Sequence, residues 1–171
     1  MISVVIPTYK RLAALQRCVD SLLNQVFDGL EIIIIDDCSN DNTASYMQQL
    51  EAKYLFIRAI YNPINQGVNY SRNRGIEMAS KEFILFLDSD DELMPASLMK
   101  VKQTLEAFTE TKHFLFVVSD REEEFRDMVK VKDVQFESWL NGSTAGDYTH
   151  VVLASIMKKY LFFEEFRMFE H

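Results

Sequence analysis

The sequence predicts an α/β fold with a mostly parallel central sheet flanked by helices. Three observations carry that reading. Ile32–Ile35 and Phe83–Leu87 are unbroken apolar runs, the pattern of strands covered on both faces. Both runs end in carboxylates, Asp36-Asp37 after the first and Asp88-Ser89-Asp90-Asp91 after the second. Ahead of the first run, Leu12, Leu15, Val19, Leu22 and Leu23 recur at three- and four-residue spacing, so strand, helix and strand alternate as in a βαβ unit.

In chain order, Val4-Val5-Ile6 is a short first strand. Pro7, which has no N–H for a ladder, is expected to end it. Leu12, Leu15, Val19, Leu22 and Leu23 form one apolar helix face, and that helix is expected to end near Asn24 to Gly29, with Gly29 as the stop signal. Glu31–Ile35 is the second strand. A polar turn rich in capping residues follows over Cys38–Thr43, with a small buried thiol expected at Cys38. A helix then runs from about Thr43 to Lys53, and Leu55–Tyr61 is a weaker strand interrupted by Arg58. Asn65-Gln66-Gly67 is a turn before a helix from Val68 to about Ser80. Gly75 inside that helix costs roughly 1 kcal/mol relative to Ala, explained by a close backbone or ligand or by mere tolerance.

The Phe83–Leu87 strand leads into a helix from about Ala96 to Phe108, with Pro95 suiting its first turn. His113–Ser119 is a further strand. Residues 121–127 read as a charged, solvated helix face, and 136–148 as irregular structure with a loop. The aromatic end at 160–171 suggests that something further packs there.

At 171 residues the chain suits one domain with a sizeable core. No run of about 18 uncharged apolar residues occurs, so no transmembrane segment is expected. The N-terminus enters a strand without the basic start of a signal peptide. Two cysteines without motif spacing, Cys18 and Cys38, point to a reducing cytosol. A net charge of −8 argues against a nucleic-acid partner, which needs a basic face. It leaves a nucleotide ligand open, because a metal neutralises a diphosphate locally. His113, His150 and His171 share no ligand spacing, which argues against zinc, and no G-x-G-x-x-G marks a dinucleotide site.

Ligands of open α/β sheets bind beyond the carboxyl ends of the strands, so Asp88 and Asp90 stand where a ligand belongs. Alternation along an extended chain puts these two acids on one side. There they share one hard divalent cation, which offsets their repulsion.

Four segments then carry a resemblance: Val4-Val5-Ile6-Pro7-Thr8-Tyr9; Ile35-Asp36-Asp37-Cys38-Ser39 with Asp41 and Thr43; Asn65-Gln66-Gly67 with Arg72, Asn73 and Gly75; and Asp88-Ser89-Asp90-Asp91. In that order and spacing the chain resembles the family 2 glycosyltransferases over roughly residues 1–110. The resemblance implies the GT-A fold, a Rossmann-like α/β sheet. It divides the chain into a nucleotide-sugar-binding portion, 1–110, and an incomplete acceptor-side portion, 111–171.

The resemblance also implies roles. Pro7, Thr8 and Tyr9 line the nucleotide pocket, Asp37 accepts a hydrogen bond from the base, and Arg72 reaches the base or diphosphate. Asp88, with Ser89 beside it, touches the ribose or metal, and Asp90 is the main ligand of Mn²⁺ or Mg²⁺. The implied reaction moves a sugar from a nucleoside-diphosphate donor, UDP-linked by preference, to a saccharide or lipid-linked acceptor with inversion. That attack needs a general base. Glu170 and Asp147 are the candidates, and the family's acidic motif would begin where the chain stops, so a chain shortened at its C-terminal end is expected. Polysaccharide or glycolipid assembly, in the cytosol or at the inner face of the membrane, is the implied setting.

Two rival readings stand beside it. The chain binds a nucleotide sugar without transferring it, or the acids belong to a Mg²⁺-dependent phosphoryl-transfer domain of receiver or phosphatase type. A receiver carries its acid pair on the first strand and such a phosphatase carries its Asp-x-Asp near the N-terminus. Here the pairs follow later strands.

Overall fold

Ile2–Thr8, Leu30–Asp36, Ile57–Tyr61 and Phe83–Phe86 form four parallel strands, β1 to β4, in a computed structural model that describes residues 1–117 and 148–162. The crossovers are α1 (Leu12–Leu23), α2 (Thr43–Lys53) and α3 (Val68–Met78). After β4 come α4 (Ser97–Ala107), β5 (His113–Val117), β6 (Tyr148–Leu153) and the single turn α5 (Ala154–Met157). The strand order is β3-β2-β1-β4-β6-β5, and β6 runs antiparallel to both its neighbours.

Period-two alternation explains why the strand sequences are continuously apolar. Val4, Ile6, Ile32, Ile34 and Leu85 face α1, α2 and α4, meeting Leu15, Val19, Met47, Leu98 and Val101. Val5, Ile33, Ile35, Ile84 and Phe86 face the other way, onto Ile76 of α3 and Ala154 and Met157 of α5. Ile32 to Ile35 are all fully buried. Each such side chain contributes about 1.5–3 kcal/mol. Gly75 now has its reason: a Cβ there would overlap Val5 Cγ1 and stand 3.0 Å from Ile35 Cδ1, so α3 lies against the sheet itself. The close neighbours are the core side chains of Val5 and Ile35.

Several expectations are corrected. Pro7 lies inside β1, because its missing N–H falls on the side where β4 has already ended. Val5 O accepts from Leu87 N on that side, and Thr8 O accepts from Asp37 N on the other. α1 ends at Leu23 with Asn24 as its cap, at the near edge of the expected range, so Gly29, at φ +86°, is not its stop and belongs to the turn into β2. Pro95 precedes the helix: Ala96, at φ +62°, caps α4. Cys38 is exposed at φ +68°. Tyr148 begins β6, which inserts between β4 and β5; Thr149-His150-Val151-Val152 carried a β-branched signal that the reading of 136–148 as a loop obscured. The charged run at 121–127 and most of the aromatic end lie outside the described residues.

Candidate functional site

Four parallel strands put four carboxyl ends on one rim of the sheet, and the polar residues predicted there are brought together. β2 delivers Asp36 and Asp37, both almost fully buried. Asp36 Oδ1 accepts from Ser39 N at 3.0 Å and shapes the turn after β2. Asp37 accepts from Asn62 Nδ2 (2.7 Å), Gln66 N (3.0 Å) and Gly67 N (2.7 Å). It therefore ties the end of β3 to the entry of α3, where Gly67 sits at φ +90°. Asn62 extends the network to Ser71 Oγ (3.0 Å) and Arg74 Nη1 (2.6 Å). A carboxylate offers about four acceptor positions, so three donors nearly fill it.

The acids after β4 behave differently. β4 ends at Phe86 and the chain turns, Asp91 N donating to Asp88 O at 3.0 Å. The extended alternation expected to align Asp88 with Asp90 is absent. Instead each acid faces its own arginine. Arg72 Nη2, from α3, lies 2.7 Å from Asp88 Oδ1. Arg11 Nη1, from the β1–α1 loop, lies 2.8 Å from Asp90 Oδ2. Both carboxylates are half exposed, whereas Ser89 between them is buried.

α1 serves as a rail for this acidic loop. Cys18 Sγ approaches Asp88 O at 3.7 Å, Arg17 Nε pairs with Glu92 at 3.0 Å, and Ser21 Oγ accepts from Leu93 N at 2.9 Å. Gln25 Nε2 donates to Met94 O at 3.1 Å. Burial, with the acids of the turn around it, pushes the Cys18 thiol up to about 12. Arg11, Arg17, Ser21 and Gln25 went unnoticed in the sequence. Their spacing of six, four and four residues along and beside the helix that follows β1 was the available signal.

Arg72 also borders a cavity of about 200 Å³ whose walls include Asp88, Phe86, His150 and Phe162. Phe162 is clamped there by Asn73, which donates to its carbonyl (2.9 Å) and accepts from its N–H (2.8 Å). Its ring meets Phe86 edge-on and lies 5.7 Å from the Arg72 guanidinium. His113 Nε2 and His150 Nδ1, on neighbouring strands, are 3.0 Å apart. Burial pushes both imidazoles down, and His113 and Arg72 help to push His150 to about 4, so the rings face each other uncharged at neutral pH. Sequence spacing could not pair two residues 37 positions apart.

Thr8 is buried at the end of β1 and Tyr9 is half-buried beside it. Among the described residues, Thr8 Oγ1, Thr43 Oγ1 and Arg72 Nε are buried without a hydrogen-bond partner, and Thr8 and Arg72 belong to this rim. A lost partner costs about 1–3 kcal/mol, so these two atoms are placed to gain from a ligand. Asp147 and Glu170 lie outside the described residues. No three His, Cys, Asp or Glu side chains among the described residues converge on a metal position. Asp88 and Asp90 nevertheless suit a hard cation: each spends a single oxygen on its arginine. Mg²⁺-type sites need only one or two carboxylates when substrate phosphates supply further ligands.

Comparison with known proteins agrees with the fold. The family model described as "Glycosyl transferase family 2" matches residues 3–160. GalNAc(5)-diNAcBac-PP-undecaprenol beta-1,3-glucosyltransferase of Campylobacter jejuni is 31% identical over 171 residues, covering 96% of this chain and 55% of that protein. Among solved structures, S. aureus TarS 1-349 in complex with UDP superposes with a TM-score of 0.74 at 23% identity, covering 98% of this chain and 51% of that one. The mannosyltransferase PcManGT from Pyrobaculum calidifontis, in complex with GDP-Man and Mn²⁺, gives 0.74 at 15% identity, covering 96% and 48%. The chain thus spans about half the length of these relatives.

Proposed function

The chain belongs to glycosyl transferase family 2, and from that premise we propose that it binds a nucleoside-diphosphate sugar and transfers the sugar to an acceptor hydroxyl with inversion. The observation that carries the reading is the meeting of Thr8, Asp37, Arg72 and the Asp88–Asp90 turn on one rim of the parallel strands. Pro7, Thr8 and Tyr9 form the nucleotide wall. Asp37 holds the entry of α3 and offers its remaining acceptor capacity to the base. Arg72 serves the diphosphate, with Asp88 and Ser89 near the ribose. UDP is the preferred carrier, in line with the UDP complex of TarS.

Asp88 and Asp90 would hold Mn²⁺ or Mg²⁺, which supplies charge stabilisation to the departing diphosphate. This chain's own contribution is the Arg72 guanidinium, which offsets the same charge by charge-assisted hydrogen bonds. Asp147 and Glu170 are the proposed bases toward the acceptor hydroxyl. The acceptor is a saccharide, carried on lipid as in the Campylobacter relative's substrate name, and the reaction belongs to polysaccharide or glycolipid assembly. No helix among the described residues is long and apolar enough to cross a membrane. We place the protein at the cytoplasmic face, reaching lipid-linked acceptors from there.

The test is thermal unfolding with UDP, GDP, dTDP and CMP, each with and without Mn²⁺. A ligand at a hundredfold excess over its Kd adds about 2.7 kcal/mol of stability. A shift with one nucleotide that requires Mn²⁺ is expected and names the base. Absence of any shift overturns the donor reading. Binding without sugar transfer on a broad acceptor panel would reduce the chain to a donor-binding portion.

A further inference from the structure

Arg11 occupies a position that the donor reading leaves without a task. It directly precedes α1 at the carboxyl end of β1, and its guanidinium is 2.8 Å from Asp90 although 79 positions separate them. The pair is half exposed on both sides, 50% and 52%, and exposed pairs of this kind contribute little to stability. The acidic loop does not depend on it either. Arg17, Ser21 and Gln25 already fasten that loop to α1 at Glu92, Leu93 and Met94. The contact is therefore cheap to break and sits on the very carboxylate assigned to the cation.

The Arg11 guanidinium takes one of the two Asp90 oxygens at 2.8 Å and repels a divalent cation on the other. A cation arriving on Asp90 therefore weakens the Arg11 contact and favours its release toward another anion. The species that brings the cation is a diphosphate, whose oxygens match the guanidinium fork. We propose that Arg11 is a second donor-binding arginine held in reserve. In the free protein it neutralises Asp90; when the cation and nucleoside diphosphate bind, it transfers to the diphosphate. Arg11 thereby makes the cation alone bind weakly and couples it to the nucleotide, a linkage that works equally in both directions. The inference rests on the donor reading above.

Isothermal titration of the parent protein and the variants Arg11→Ala, Arg11→Lys and Lys102→Ala tests it; Lys102 pairs with Glu106 on α4, away from the acidic turn. The probes are Mn²⁺ alone, UDP with Mn²⁺ and uridine with Mn²⁺, replaced by GDP and guanosine should GDP bind the parent more tightly. Arg11→Ala is expected to bind Mn²⁺ alone about threefold more tightly and UDP about tenfold more weakly, with uridine unchanged. Arg11→Lys, which keeps the charge but loses the fork, falls between, and Lys102→Ala matches the parent. Equal losses for UDP and uridine, or Arg11→Ala behaving as Lys102→Ala does, would overturn the proposal while leaving the donor site standing. A parent protein that binds no nucleoside diphosphate overturns the donor reading itself, and the reserve arginine with it.

Discussion

The two acidic strand ends look alike in the sequence and do opposite work in the fold. Asp36 and Asp37, after β2, are 3% and 4% exposed and take hydrogen bonds from Ser39, Asn62, Gln66 and Gly67. Asp88 and Asp90, after β4, are half exposed and face the tips of Arg72 and Arg11. A buried carboxylate must be satisfied at once by fixed neighbours, because an unmatched charge is costly inside a protein. An exposed one can trade a flexible side chain for a ligand at little loss. The first pair builds the frame that aims α3, and hence Arg72, at the second pair. The second pair is left exchangeable.

Four substitutions break or sharpen that contrast. Asp37→Ala strands the donors of Asn62, Gln66 and Gly67, and about 3 kcal/mol of stability should be lost in urea unfolding. Gly75→Ala drives a methyl into Val5 where α3 meets the sheet; overpacking of this kind costs about 2 kcal/mol. It should also disturb nucleotide binding by moving Arg72.

Glu31 sharpens the contrast at a third carboxylate, buried far from the acidic turn. Burial raises its pKa, but Ser3 Oγ, Ser80 N (2.8 Å) and Ser80 Oγ (3.0 Å) outweigh that and leave it below 4.5. A folded pKa below the unfolded one means stability that is full above the unfolded value and lost as pH falls through the folded one. Parent stability should therefore fall as pH drops below 4.5. Glu31→Gln should cost about 1 kcal/mol at pH 7 and flatten that acid limb, which unfolding at a series of pH values would reveal.

Asp90→Ala should change stability by less than about 0.5 kcal/mol yet abolish Mn²⁺-dependent nucleotide binding. A loss of stability comparable with Asp37→Ala would erase the distinction between frame and exchangeable acids. Unchanged Mn²⁺-dependent affinity would remove Asp90 from the site.

Much of the fold was readable because its signals are local. Ile32–Ile35 announced a strand covered on both faces, and Leu15, Val19 and Leu22 announced the buried side of α1. β6 was missed because its first residue, Tyr148, was read with the preceding loop, although Thr149, Val151 and Val152 carry a β-branched signal. The alignment of Asp88 with Asp90 failed for another reason: it assumed a strand that continued, and the chain turns over Asp88–Asp91, just after Leu87 makes its bond to Val5.

What the sequence by itself determined is the alternation of strands and helices and the placement of carboxylates where the β2 and β4 runs end. Side-chain period and chain-breaking residues act over a few positions, so they can be read in one dimension. What only the tertiary structure decided is who faces each acid. Arg11 finds Asp90 across 79 positions, Gly67 finds Asp37 across 30 and His113 finds His150 across 37. Those meetings follow from the order β3-β2-β1-β4-β6-β5, which sets β4 beside β1 and inserts β6 between β4 and β5. Burial around Asp37 and solvent around Asp90 are properties of that arrangement, and they make one acid part of the frame and the other exchangeable.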